Sequence, residues 1–283
     1  MKKLLTLALS SLLVLSLLAG CGSNNTAASA SASASTGETV TLKVGASITP
    51  HAEILAQCKP ILAEQGIDLE VVEYTDYVQP NTALEDGSLD ANDFQHINYL
   101  NWFNSEYGTH LVSAASVHYE PFGIYAGKVA SIADLKDGDE VIIPNDGSNE
   151  TRALLLLQQE GVITLKDGIT AASNATVQDI ASYSVNITIR EMEAAQLTIS
   201  LPDVALAVIN GNYALQGGLN AATDALAIES ADGDAAQEYG NILAVKEGHE
   251  NDPAILALID VLHSDTIRNF INNTYGGAVV PTF

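Results

Sequence analysis

The chain has 283 residues, 47% of them apolar, which is enough for one large or two modest cores and excludes global disorder. Eleven basic against 35 acidic residues give a formal net charge of -24, and this excludes the broad basic face that nucleic-acid binding needs. An anion or a zwitterion needs a local cation opposing that field, and the arginines are few: Arg152, Arg190 and Arg268.

Residues 1–21 read MKKLLTLALSSLLVLSLLAGC. Lys2 and Lys3 precede an apolar run, Leu4 to Leu18, that is short for a membrane span and fits an export signal. The tetrad Leu18-Ala19-Gly20-Cys21 resembles the bacterial lipobox, so Cys21 is expected to carry lipid once 1–20 are removed. The expected location is the cell membrane, lipid-anchored and facing the extracytoplasmic side. The Ser/Ala-rich stretch that follows, 22–39, reads as a flexible tether spanning on the order of 20–25 Å. Cys58 is then a lone thiol, and its neighbours Ile54, Leu55, Ile61 and Leu62 predict that it is buried and inert.

From Val40 onward, strand and helix patterns alternate. VTLKVGA reads as a strand, and Pro50–Gln65 as a helix closed by Gly66. IDLEVVEY is a second strand; a short segment at 81–86 and Gly87 lead to LDANDF, a third. His96–Tyr107 is an aromatic-rich helix ending at Gly108, followed by the strands HLVSAASV and PFGIYAG. DEVIIP leads into a helix over Asn149–Glu160. NITIRE reads as a strand, Glu193–Leu201 as a short helix, and VALAVIN as a strand buried on both faces. NILAV is a late strand, and Asn251–His263 and Ser264–Thr274 are terminal helices. This alternation predicts an α/β architecture with largely parallel sheets and ligands at the carboxyl ends of strands.

The chain carries no G-x-S-x-G, H-E-x-x-H, P-loop or G-x-G-x-x-G, so no catalytic residue and no enzyme activity are read from it. Six histidines show no metal-ligand spacing, and neither a metal nor a cofactor is expected. DANDFQHINYLNWF mixes Phe94, His96, Tyr99 and Trp102 with Asn and Gln, a composition that serves a pocket wall or helix-core packing equally. EYTDYVQPN carries Tyr74 and Tyr77 at a strand exit. Asn210 and Asn241 sit at strand ends, where Asn also serves as a turn residue. Arg152 lies near a helix start, where the macrodipole disfavours a cation and suits an anion.

These stretches, with GASITPHAEIL, HYEPFGIYA, IPNDGSNETRALLLLQQEGVITL, EMEAAQL, YGNILAV and YGGAVVP, resemble the NlpA family of methionine-binding lipoproteins of bacterial ABC importers. They run from Val44 to Pro281. Asn98 departs from the family pattern, which has proline there. The resemblance implies a two-lobed, periplasmic-binding-protein-like (type II) α/β fold with the ligand cleft between lobes. Lobe one would be 40–125 plus the return segment 241–283, and lobe two 126–240. It implies that Arg152 grips a ligand carboxylate, that Asn210 and Asn241 contact the amino acid backbone groups, and that Tyr74, Phe94, His96 and Tyr99 enclose the side chain. L-methionine is the implied small-molecule ligand, passed to an ABC permease and ATPase on separate chains. D-methionine, a methionine-containing dipeptide or another apolar amino acid are alternatives, with a surface adhesin or enzyme behind them. On this reading Arg152→Ala removes binding with little loss of stability.

Overall fold

The structure is a computed structural model that describes residues 39–229 and 238–283. The export signal, Cys21 and the tether lie outside the described residues. Among those described, no helix is long and apolar enough to cross a membrane.

The chain opens with strand β1 (Val40–Ser47), an irregular helical turn over Ile48–Ala52 and helix α1 (Glu53–Ala63). Then come β2 (Ile67–Tyr74), α2 (Gln79–Glu85), β3 (Ala91–His96), α3 (Ile97–Tyr107) and β4 (Leu111–Tyr119). It next builds β5 (Gly123–Ala126), β6 (Glu140–Pro144), α4 (Gly147–Gln159), the hairpin of β7 (Ile163–Leu165) and β8 (Ile180–Tyr183), β9 (Thr188–Met192) and α5 (Ala194–Ser200). After β10 (Leu206–Ile209), α6 (Gly211–Gln216) and β11 (Ala225–Ile228), it returns through β12 (Gly240–Lys246), α7 (Pro253–Leu262), α8 (Asp265–Tyr275) and β13 (Val280–Pro281).

The strands form two main sheets. One has six strands in the order β13-β4-β12-β3-β1-β2, and the other five in the order β11-β5-β10-β6-β9. The expectation of largely parallel sheets is corrected. β1 is parallel to β2 and β3, and β6 to β9 and β10. The returning β12 inserts between β3 and β4 antiparallel to both, and β5 runs antiparallel to β10 and β11. The expected passage between sheets at Tyr125/Ala126 falls inside β5. The chain changes sheet earlier, between Tyr119 and Gly123, because Gly123 already pairs with Ile209 and Ile228.

Local sequence explains where the elements stop. The α3 start is capped by the His96 side chain, which accepts the Tyr99 N–H, and its end by Gly108 at φ 68. Asp146 caps α4 by accepting the Asn149 N–H. In the centre of the five-stranded sheet, Leu206 and Val208 join a core with Val141, Ile143, Leu154 and Leu157, while Ala207 and Ile209 join Ile142, Leu197 and Tyr213 on the other face. Helices cover both faces, which is why VALAVIN reads as a continuous apolar run. The six-stranded sheet packs Val44, Leu243 and Val245 against Ile54, Leu55 and Leu62 of α1 and Leu258, Leu262, Ile267 and Ile271 of α7 and α8. Each such side chain contributes about 1.5–3 kcal/mol of burial. Cys58 is fully buried in that core, as expected, and burial pushes its thiol up to about 12.

Candidate functional site

Strand ends from both sheets meet at one small pocket with an empty volume of about 330 Å³. From the six-stranded body come Phe94, Gln95 and His96 at the end of β3, Tyr99 on α3, Tyr77 after β2, Glu120 after β4 and Asn241 on β12. From the five-stranded body come Asn149 and Arg152 on α4, Asn210 after β10, and Gly211 and Asn212 on α6. Strand ends leave their last side chains beyond the sheet, so each strand can place one polar group there.

A chain of hydrogen bonds crosses the pocket. The Tyr99 N–H donates to His96 Nδ1 at 3.1 Å, so the ring proton sits on Nε2 and is donated to Asn149 Oδ1 at 3.1 Å. Asn210 Nδ2 donates to the same oxygen at 2.8 Å, and the Asn149 amide in turn donates to both Asp146 oxygens. With its nitrogen committed, Asn210 keeps a buried Oδ1 that has no partner among the described residues. Buried acceptors are seldom left so. Burial holds His96 at about 3, helped by the nearby Arg152 charge, so the ring stays neutral.

The aromatic wall consists of Tyr77, Phe94 and Tyr99, with ring centroids 5.8, 5.6 and 6.1 Å apart in the three pairings. Tyr213 of α6 lies 5.0 Å from Tyr77. Two hydroxyls bridge the bodies: Tyr77 donates to Asn212 Oδ1 at 2.5 Å, and Tyr213 to the Thr75 carbonyl at 3.1 Å. Gly211 allows the bodies to approach, since a Cβ there would sit 2.6 Å from Glu120 Cβ. Behind the wall, Asn81, Asn92 and Gln95 bond one another at 2.7–2.9 Å, a buried amide network that accounts for Asn92 and Gln95 of DANDFQH.

Arg152 is the sixth residue of α4, two residues deeper than the sequence suggested, and 5% of its side chain is exposed. Its Nε donates to Glu229 Oε2 at 2.9 Å, and its Nη2 donates to Glu229 Oε1 and, at 3.0 Å, to the Glu120 carbonyl. Its guanidinium carbon lies 4.8 Å from the Phe122 ring centroid and 4.3 Å from that of Tyr239. Burial opposes its charge, and the Glu229 carboxylate outweighs that and keeps the pKa above its ordinary value. This pairing weighs against the expectation that Arg152→Ala costs little stability, because the substitution would strand a buried carboxylate.

The structure therefore brings Arg152, Asn210, Asn241, Phe94, His96 and Tyr99 together. Tyr74 is not among them. It is half-buried at the end of β2, packed over Gly45 and Leu89, and Tyr77 occupies the place given to it. Sequence reading also missed Glu120, Asn149 and Glu229. Glu120 and Asn149 lay inside HYEPFGIYA and GSNETRAL, and their burial was the missing signal.

Glu120 is also part of a second cluster. His118 Nε2 lies 2.8 Å from Glu120 Oε1, and His51 Nε2 lies 3.4 Å from that oxygen and 3.4 Å from Asn241 Oδ1. These three residues offer ligand atoms within 4.8 Å of one another, the one grouping among the described residues able to hold a metal ion. As found, His118 hydrogen-bonds Glu120 and His51 hydrogen-bonds Asn241, with His51 in contact with the same Glu120 oxygen. Burial lowers His51 to about 4 and His118 to about 3, and pushes Glu120 upward against the pull of His51 and Arg152.

Comparison with known proteins agrees with this architecture. The methionine-binding lipoprotein MetQ of Bacillus subtilis is 40% identical over 287 residues, covering 99% of this chain and 99% of the relative. The D-methionine-binding lipoprotein MetQ of Salmonella typhi is 37% identical over 242 residues, 84% of this chain and 87% of its own. A nutrient binding protein of Burkholderia cenocepacia, solved bound to methionine, superimposes with a TM-score of 0.82 at 41% identity, covering 86% of this chain and 100% of that one. A family model described as NlpA lipoprotein matches residues 42–283, so the chain belongs to the NlpA lipoprotein family and has the α/β substrate-binding-protein fold.

Proposed function

We propose that the pocket binds a free amino acid, L-methionine, and that the chain delivers it to an ABC importer whose permease and ATPase are separate chains. The observation that carries the reading is the pairing of opposite polarities in one buried pocket. Arg152 Nη1 has no partner among the described residues, and Asn210 Oδ1 is an acceptor without a donor. A ligand carboxylate at Nη1 and a ligand ammonium at Asn210, Asn241 and Glu120 would complete both. The aromatic wall of Tyr77, Phe94 and Tyr99 suits a thioether, which gains from sulfur–ring contact. The relatives' names point the same way.

The six-stranded and five-stranded bodies act as the two lobes, and the hydroxyl bridges from Tyr77 and Tyr213 form on closure. A ligand touching both bodies favours the closed state by its differential affinity. No bond of the ligand is made or broken. Lipid on Cys21 would hold the chain at the extracytoplasmic face of the membrane.

The test is calorimetric titration of the chain from Gly22 onward, unfolded and refolded to remove carried-over ligand. Saturable one-to-one binding of L-methionine at micromolar affinity or tighter is expected. A folded protein that gives no heat with L-methionine, but does with D-methionine, a methionine-containing dipeptide or another amino acid, would keep the pocket and replace the ligand.

A further inference from the structure

The Arg152 guanidinium has five N–H groups in a fixed plane. Three are already committed: Nε–H to Glu229 Oε2, and the two on Nη2 to Glu229 Oε1 and the Glu120 carbonyl. Glu229 is itself fixed. It accepts from the Tyr119 hydroxyl at 2.6 Å and the Phe122 N–H at 3.1 Å, and its own N–H donates to the Phe122 carbonyl at 3.1 Å. A carboxylate so tied cannot step aside to be replaced by a ligand's carboxylate. Arg152 therefore meets any ligand with its charge already matched, and only the Nη1 edge remains to donate.

We propose that Glu229 is the specificity-determining charge of this pocket: by neutralising Arg152 from behind, it makes the site select zwitterions over simple carboxylate anions. This rests on the reading of the pocket as an amino-acid site and adds to it the reason for the choice. A bare carboxylate ligand would bring an unmatched negative charge into a buried space already holding Glu229 and facing Glu120. In a poorly screened interior that repulsion is felt more strongly than at the surface. A zwitterion brings its own ammonium, which both carboxylates attract, so the ligand is admitted as a neutral whole. An arginine without Glu229 would instead attract anions generally.

The test compares two ligands that differ only in the amino group, L-methionine and 4-(methylthio)butanoate, in the parent and in Glu229→Gln. Any loss of Arg152 orientation or of stability weakens both ligands alike and cancels in the ratio of their dissociation constants. Only the charge changes the ratio. The parent is expected to prefer L-methionine by about a hundredfold or more, and Glu229→Gln to cut that preference by about tenfold or more. A preference in Glu229→Gln within about threefold of the parent's overturns the proposal.

Should Glu229→Gln not fold, the parent decides alone, by titration in buffers of different ionisation heat. Uptake of a proton with 4-(methylthio)butanoate, and none with L-methionine, supports the charge argument. Binding of 4-(methylthio)butanoate without proton uptake, at an affinity within about tenfold of L-methionine, refutes it. A parent that binds no amino acid at all would sink the functional reading itself. A parent that binds L-methionine with an unchanged preference in the variant would sink this proposal only.

Discussion

Tyr77→Phe isolates closure from folding. The substitution removes the hydroxyl that donates to Asn212 Oδ1 at 2.5 Å and keeps the ring, which touches Phe94, Tyr99 and Tyr213 at 5.0–5.8 Å. Asn212 Nδ2 already has no partner among the described residues, so without the hydroxyl its amide is stranded at both ends. An unmade bond of this kind costs about 1–3 kcal/mol. Because the bond joins the two bodies, the cost falls on the closed, liganded state. At about 1.4 kcal/mol per factor of ten, ligand release should quicken by roughly 5- to 150-fold. Association should change little, since the bond forms after encounter. Trp102, the only tryptophan, has its ring centroid 5.3 Å from that of Tyr99, a residue of the pocket wall, so its fluorescence can follow release by stopped flow. A release rate within about twofold of the parent refutes the assignment. So does an unchanged rate with a lowered melting temperature, which would place the bond in the folded frame instead of in closure.

Arg152→Ala should lose at least about a hundredfold in affinity and also about 3–5 kcal/mol of stability, because Glu229 is left buried without its ion partner. The double substitution Arg152→Gln with Glu229→Gln should regain much of the melting temperature and none of the binding, as thermal unfolding and calorimetry would show. Asn210→Ala and Asn241→Ala should each weaken the ligand by roughly 5- to 150-fold on titration, the worth of about 1–3 kcal/mol. Asp93 gives a test by pH. Burial, with Glu120 adding to it, pushes its carboxyl up to about 8, and neither oxygen has a partner among the described residues. The folded state holds a proton that the unfolded state loses above about pH 4, so its contribution is whole below that and fades as pH rises to about 8. Asn does not titrate. The stability of Asp93→Asn relative to the parent should therefore rise between pH 4 and 8, by at most on the order of 5 kcal/mol, and then level. A difference that does not vary with pH would refute the buried, protonated carboxyl.

Much of the fold was legible because its signals are local. Gly108 stops α3, and the unbroken apolar run Leu206–Ile209 marks a strand covered on both faces, whereas α4 starts two residues before the expected Asn149 because Asp146 caps it. What sequence could not show was pairing over distance. β12 slots between β3 and β4 only when the chain returns after more than a hundred residues, and that is why the sheets are mixed. α6 has six residues and β11 four, too short to show a period. In the site, the motif residues Arg152, Asn210, Asn241, Phe94, His96 and Tyr99 converge. Tyr74 and Tyr77 are separated by a turn, and nothing in EYTDYVQPN says which ring points inward. Glu229 was invisible for the same reason as β12: it stands 77 positions from Arg152.

The global charge and the local one fit together through Glu229. A chain of formal charge -24 repels anions at long range and leaves a neutral zwitterion indifferent. A lone buried cation would counter that field but would be costly to hide. The solution in this fold keeps Arg152 charged by pairing it with Glu229 beside the rings of Phe122 and Tyr239, so that the arginine is balanced before any ligand arrives. Its place one turn into α4 then follows from the partners and not from the helix dipole. The dipole acts in the first turn, where the Asp146 carboxylate already accepts the Asn149 N–H. Position six instead lets the side chain reach the two segments that join the sheets, Glu120–Phe122 and Glu229, and touch both at once. On the proposed reading, the residue offered to the ligand is also the residue that ties the two connecting segments together, so that ligand and closure would act on one group.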